Sequence, residues 1–206
     1  MDYLGQPLKR FEDARLLIGN GLFIDDIKLP DMLYAVVVRS IHAHARIRSI
    51  DTSVAISLAG VVEVLTGQDL VGVLSNIPIR EMGDRSVDEF NPPGHPVLAQ
   101  DKVCYVGQPV AVVVADDPYL ARDGVESVIV EYDVLTPVTD PEQAANLETS
   151  IIHADIGTNV AIRSVQEGGD IERAFNEADH VVHERFQIQR LAPSSLEGRG
   201  IVADYN

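Results

Sequence analysis

Two histidines, His42 and His44, stand two residues apart in the segment RSIHAHARI, residues 39–47. On a β-strand, side chains at i and i+2 point the same way, so both imidazoles could reach one metal ion. A carboxylate such as Asp51 would have to come round to complete the ligand set. The competing reading is a polar strand end or turn in which the rings hydrogen-bond locally, and nothing nearby supplies a full set of ligands. Cys104 lies between Val103 and Tyr105, at the start of an expected strand. A catalytic thiolate needs a base and an electropositive setting. Lys102 is near in sequence, but no spacing rule positions a histidine, so a buried structural cysteine is the favoured reading. Gly19-Asn20-Gly21 and Gly168-Gly169 are too short to cradle a phosphate, and neither G-x-G-x-x-G nor a phosphate-loop lysine is present. The adjacent carboxylates Asp25-Asp26 and Asp116-Asp117 read as solvated turns or helix caps. There is no G-x-S-x-G nucleophile elbow. These residues make no self-sufficient constellation, and no catalytic, cofactor-binding or metal-ligating residue is assigned.

The elements that would have to position such groups are short. Gly, Pro and Asp punctuate the chain, and between them lie runs rich in Val and Ile: Leu33–Val38, Val61–Leu65, Val110–Ala115 and Val128–Tyr132. Runs of this length and composition fit strands, and since none has a clean polar face most of them are expected to be covered on both sides. Asp117 and Pro118 open a helix with Ala121, Val125 and Val128 on one stripe. Gly124 should weaken that helix by about 1 kcal/mol relative to Ala. Asp170 caps a second helix bearing Ile171, Ala174, Phe175 and Ala178. A shorter helix spans Thr52–Ala59 and ends at Gly60. The segment Glu81–Gly94 reads as a long surface loop and Pro137–Ile152 as a connector. Val181–Leu191 alternates Val182, Phe186 and Ile188 with polar residues, which predicts a half-exposed strand. Ile201–Tyr205 begins another apolar run, and the chain ends inside that pattern. Helices alternating with strands give a mixed α/β or α+β fold.

Composition narrows the function classes. The 206 residues suffice for one domain or two small ones, and 46% are hydrophobic, enough for a core. Sixteen Lys and Arg against 32 Asp and Glu give a net charge of −16, which disfavours nucleic-acid backbones and anionic membranes. The same charge favours solubility or a basic partner. A single cysteine excludes an internal disulfide and any cluster or zinc site built on several local cysteines. No apolar signal core or membrane span is present, so a cytoplasmic protein is expected.

Several segments are informative in combination. The chain opens with Gln6-Pro7, Arg10, Glu12-Asp13 and Leu16-Leu17-Ile18-Gly19, followed by Asp25-Asp26 and Leu29-Pro30. RSIHAHARI, LTGQDL (65–70), HPVLAQDKVCYVGQPVAVVVA (95–115) and VIVEYDVLTPVTD (128–140) come next, and QRLAPSSLEGRGIVADY (189–205) last. In this order and spacing the chain resembles the N-terminal part of the large subunit of molybdenum hydroxylases, the xanthine dehydrogenase and aldehyde oxidase family. It looks most like the aerobic-type carbon monoxide dehydrogenase large chain. The resemblance implies an α/β-hammerhead domain followed by the start of a molybdenum-cofactor-binding domain. The implied division is an N-terminal arm at 1–18, the hammerhead at 19–138, a connector at 139–165 and the cofactor-domain start at 166–206. It also implies oxidoreductase chemistry in which molybdenum on a pterin dithiolene transfers water-derived oxygen and electrons leave through iron–sulfur clusters to a flavin. The family's active-site residues are expected after Asn206, so none is carried over and the chain alone should bind no molybdopterin. Its expected partners are the remainder of the large subunit and iron–sulfur and FAD-binding subunits or domains.

Some positions depart from the family pattern. Ile41 stands where the family often has proline, and Leu196 and Gly198 flank Glu197 where methionine and proline are common. Carbon monoxide, aldehydes, purines and other N-heterocycles remain open as substrates. The alternative function is a stand-alone, non-catalytic docking module that kept the hammerhead.

Overall fold

A computed structural model of the chain describes residues 4–79, 87–146 and 148–205. The described elements run α1 (Asp13–Leu17), β1 (Tyr34–Arg39), β2 (Ala45–Asp51), α2 (Ser53–Ser57), β3 (Val61–Thr66), β4 (Val87–Phe90) and β5 (Lys102–Val103). They continue with β6 (Pro109–Ala115), α3 (Pro118–Glu126), β7 (Ile129–Val134), α4 (Pro141–Ala144), β8 (Ile162–Ser164) and α5 (Ile171–Asn176). The fold is α+β with antiparallel pairing, the class that the sequence implies. Two compact units are present. One comprises Leu33–Asp179, and the other joins the segment up to Met32 with the segment from His180 onward.

In the larger unit, β6 is the element on which the others are built. Its run of β-branched residues is suited to a strand, and it lies in the middle of a three-stranded sheet of order β1-β6-β3. Val113 sits opposite Val36 on one side and Val64 on the other. Alternate residues of β6 feed two cores. Ala111 and Val113 pack with Val38, Ala55 and Val64, while Val110 packs with Ala45, Ala99 and Val103. The second core lies against a further sheet of order β5-β2-β7. Val130 of β7 packs against both. Val103, Val110 and Val113 are fully buried, each worth about 1.5–3 kcal/mol relative to exposure.

Helix α3 closes the first core. Asp117 caps it as expected, its Oδ1 accepting from the amides of Tyr119 at 2.7 Å and Leu120 at 3.1 Å. Ala121 and Gly124 are its buried residues and face the sheet. Gly124 is there for packing. A Cβ at this position would lie 2.6 Å from Cγ1 of Val113, so the bare Cα is what lets the helix settle on β6. The cost in helix propensity expected from sequence is offset by that approach. Helix α2 forms inside the expected 52–59 span, and the amide of its first residue, Ser53, donates to Oδ1 of Asp51 at 2.9 Å. Asp170 caps α5 through the amide of Arg173 at 3.0 Å.

Three expectations require correction. Only β6 is covered along most of its length; β1, β3 and β7 alternate between more and less exposed positions. Among the described residues the outer strands β1 and β3 are hydrogen-bonded to a strand on one side only, so apolar composition alone overstated their burial. The segment 81–94 is not wholly a loop, because β4 forms within it and pairs antiparallel with β8; its first six residues lie outside the described ones. Val181–Leu191 is not a strand. Its alternating pattern is real, but no strand among the described residues pairs with it, and an unpaired strand has no ladder to hold it. Val182, Phe186 and Ile188 are 81%, 86% and 89% exposed.

The substitution Gly124→Ala tests the role of that glycine. Propensity alone predicts a gain of about 1 kcal/mol. The contact with Val113 predicts a net loss of about 1–3 kcal/mol, read as a lower urea midpoint at unchanged slope. A neutral or stabilised variant would mean that α3 does not rest on β6 as described.

Candidate functional site

The segments that carry chemistry-bearing side chains are also those that hold the larger unit together. The end of β1 and the turn before β6 are joined through the backbone. The Ser40 amide donates to the Gln108 carbonyl at 2.9 Å, and the Gly107 amide donates to the Ser40 carbonyl at 2.7 Å. The Arg39 guanidinium donates to the Gly107 carbonyl at 2.9 Å. The Gln108 side-chain oxygen accepts from the Cys104 amide at 2.6 Å. RSIHAHARI and YVGQPV are therefore two halves of one joint. LTGQDL makes another. Oδ2 of Asp69 accepts from the Thr66 amide at 2.7 Å and its hydroxyl at 2.6 Å, and these bonds hold the Asp69 carboxyl below its ordinary range. At Gly67 a Cβ would fall 2.2 Å from the Ala99 carbonyl oxygen. Only glycine allows that turn to lie against the HPVLAQ segment.

Both histidines make contacts within this framework. They precede β2 rather than lying on it. His44 is buried, and its Nδ1 is 2.9 Å from the Thr136 carbonyl, a contact in which the ring nitrogen donates. The His42 ring meets the Tyr132 ring edge-on, with centroids 5.0 Å apart and planes at 74°. The Ser40 hydroxyl donates to the His42 carbonyl at 2.9 Å and accepts from its amide at 3.0 Å. Burial raises the Tyr132 phenol above its ordinary value, and a hydrogen bond with Ser40 opposes the rise. Asp51, the carboxylate considered as a third ligand, lies at the far end of β2. Six residue steps along the strand separate it from Ala45, about 20 Å. Its carboxyl is held below the ordinary value by hydrogen bonds from Ser53. Among the described residues, no group of three or more His, Cys, Asp or Glu is placed to hold a metal ion.

Cys104 is half-buried and follows β5 directly. It lines a groove of about 510 Å³ with Arg46, Lys102, Gln108, His153 and Asp155. Burial pushes its thiol above the ordinary value; Lys102 opposes this and Asp155 adds to it. A raised thiol is a poor nucleophile at neutral pH, while the half-buried position differs from the buried one expected from sequence. Sequence reasoning missed His153 and Asp155. They stand about fifty residues beyond Cys104, and no local motif marks them.

In the smaller unit, the SSLEGRG segment is tied to the stretch before Met32. Oε1 of Glu197 accepts from the Ile24 amide at 2.7 Å, and the Ser195 hydroxyl donates to the Glu197 carbonyl at 2.5 Å. This is a structural use of Glu197 despite the unusual Leu196 and Gly198 beside it.

Replacing both His42 and His44 with Asn should leave the zinc, nickel and copper content of the purified chain unchanged. Loss of one bound metal per chain would refute the structural reading of this pair.

A family model described as aldehyde oxidase and xanthine dehydrogenase, a/b hammerhead domain, matches residues 18–136. A molybdopterin cofactor-binding domain model matches residues 152–206. The chain is 39% identical over 204 residues to the 6-hydroxypseudooxynicotine dehydrogenase complex subunit gamma of Paenarthrobacter nicotinovorans, covering 97% of this chain and 25% of that one. It is 39% identical over 207 residues to the carbon monoxide dehydrogenase large chain of Afipia carboxidovorans, covering 94% and 24% respectively. Among solved structures, the reconstituted CO dehydrogenase from Oligotropha carboxidovorans aligns with a TM-score of 0.59 at 43% identity, over 70% of this chain and 17% of that one. The chain thus spans about a quarter of the length of the curated relatives it matches. The match of the hammerhead model over more than half of the chain leads to one conclusion: the chain belongs to the aldehyde oxidase and xanthine dehydrogenase family, as a hammerhead domain leading into molybdopterin-binding sequence.

Proposed function

We propose that this chain is the N-terminal hammerhead portion of a molybdenum hydroxylase large subunit and acts as framework rather than as catalyst. It takes part in oxidoreduction, by hydroxylation or by oxidation of carbon monoxide with water-derived oxygen, only when joined to the cofactor-binding region and to iron–sulfur and FAD-binding subunits or domains. We assign the arm to 1–18, the hammerhead to 19–138, the connector to 139–165 and the cofactor-domain start to 166–206, and place the protein in the cytoplasm. Among the described residues no helix is long and apolar enough to cross a membrane. The observation that carries the reading is the use to which the motifs are put. Ser40, Gly67, Asp69, Gly107, Gln108 and Glu197 all secure one stretch of backbone against another.

The residues present do not fit a molybdopterin. Such a cofactor needs buried, converging donors to hold its pterin and phosphate. Among the described residues no buried side-chain nitrogen or oxygen is left without a hydrogen-bond partner. The segment from Ile162 to Tyr205 is almost wholly exposed. Nothing there forms a cradle, and no chemical step is derived through the cofactor.

The docking-module alternative has one observation in its favour, the net charge of −16, which suits a basic partner. A neighbouring reading frame encoding the cofactor-binding remainder supports the large-subunit reading; its absence favours the docking module.

Metal analysis and an absorption spectrum of the purified chain test the proposal. We expect neither molybdenum nor a visible charge-transfer band for the chain alone, and both when it is co-produced with the rest of a large subunit and its partner subunits. Stoichiometric molybdenum on the chain alone would overturn the framework assignment.

A further inference from the structure

The groove beside Cys104 is bordered by a loop that is tied to β5 at its start and, through the Asn91 amide on the Ala161 carbonyl at 2.7 Å, to the segment after β4 at its end. The Lys102 ammonium, reaching out from β5, donates to the Ile152 carbonyl. The Ile152 amide donates to Oδ1 of Asn159 at 2.9 Å, and the Asn159 amide group donates to the Ser150 carbonyl at 3.0 Å. The turn is closed on itself by the amides of Ile156 and Gly157, which donate to the His153 carbonyl at 3.1 and 3.3 Å. His153 is half-buried and lines both the 510 Å³ groove and a second cavity of about 260 Å³ beside Ile152 and Ile156.

The charges around His153 come from several elements. Lys102 projects from β5, with Asp101 and Cys104 on either side of that strand. Arg46 is on β2, and His44 lies just before it. Asp155 is on the loop itself. With His153 neutral, the two cations Lys102 and Arg46 face the two carboxylates Asp101 and Asp155. A proton on His153 tips this balance toward positive charge beside the Lys102 ammonium that holds the Ile152 carbonyl.

We propose that the 152–161 loop is latched to β5 through Lys102 at neutral pH and is released on acidification by protonation of His153. Burial first, then Lys102 and His44, hold the His153 imidazole below the ordinary histidine value of 6.5, and Asp155 opposes them. The fold therefore favours the neutral ring. Its contribution is complete above pH 6.5 and is lost as the pH falls through the lowered folded-state value. The inference stands on contacts within the larger unit and does not depend on any role in cofactor chemistry.

Amide hydrogen exchange of the full chain at pH 7.5 and pH 5, corrected for intrinsic chemistry, tests the latch. The amides of Ile152, Ile156 and Gly157 should exchange about fivefold faster or more at the lower pH, while Val110–Ala115 stay protected. His153→Gln should keep the loop protected at both values, and Lys102→Met should loosen it at both. Should the Gln variant fail to fold, an NMR titration of His153 in the unaltered chain decides alone, with a midpoint below 6.5 expected. A midpoint at or above 6.5, loop exchange that ignores pH, or a pH response surviving in His153→Gln would overturn the proposal.

Discussion

The burial of β6 on both faces is the constraint from which the rest of the larger unit follows. Alternation along one strand sends Ala111 and Val113 into one core and Val110 into another, so β6 must lie between a helical layer and a second sheet. Each neighbour is then fixed by what β6 demands of it. Helix α3 needs a glycine at 124 to clear Val113. The turn before β6 has to exchange backbone bonds with Ser40 to bring β1 alongside. The 65–70 turn needs Gly67 because Ala99 is drawn in by the hydrogen bond its amide donates to the Pro109 carbonyl at 2.8 Å, at the head of the same strand.

That constraint also explains why the motifs look chemical and are architectural. His44, Asp69 and Gln108 are polar side chains in positions where backbone groups would otherwise be stranded as strands end and turn. Each satisfies one such group. A hydrogen bond of this kind is worth only about 1 kcal/mol net, but leaving its buried partner unpaired costs about 1–3 kcal/mol. His44, Asp69 and Gln108 each serve a separate joint of this segment.

Much of this was legible in the sequence. Val110–Ala115 announces itself as a buried strand by length and β-branching, and Asp117-Pro118 and Asp170 mark helix starts through capping chemistry that needs no tertiary context. The strand Ala45–Asp51 was not read, because ARIRSID mixes arginines with isoleucines; its arginines stay in solvent while Ala45 alone is fully buried. Val87–Phe90 and Ile162–Ser164 were missed for a different reason. Each is a strand only by virtue of the other, and pairing over more than seventy residues leaves no local trace. The reverse error occurred at Val181–Leu191, where a period-two pattern has no paired neighbour. The candidate site fared similarly: Cys104 and Lys102 were seen, while His153 and Asp155 reach the same groove only through the fold.

Hydrogen exchange along the whole chain, alone and with the remainder of a large subunit supplied as a second chain, tests the central claim most directly. That claim is that a β6-centred hammerhead is stable in itself while the segment beyond it gains its structure from further polypeptide. The account predicts slow exchange across Val110–Ala115 in both samples. From Val181 to Tyr205 it predicts fast exchange in the chain alone, slowing when the remainder is added. A monomer whose 181–205 segment is as protected as β6 without any added chain would contradict it.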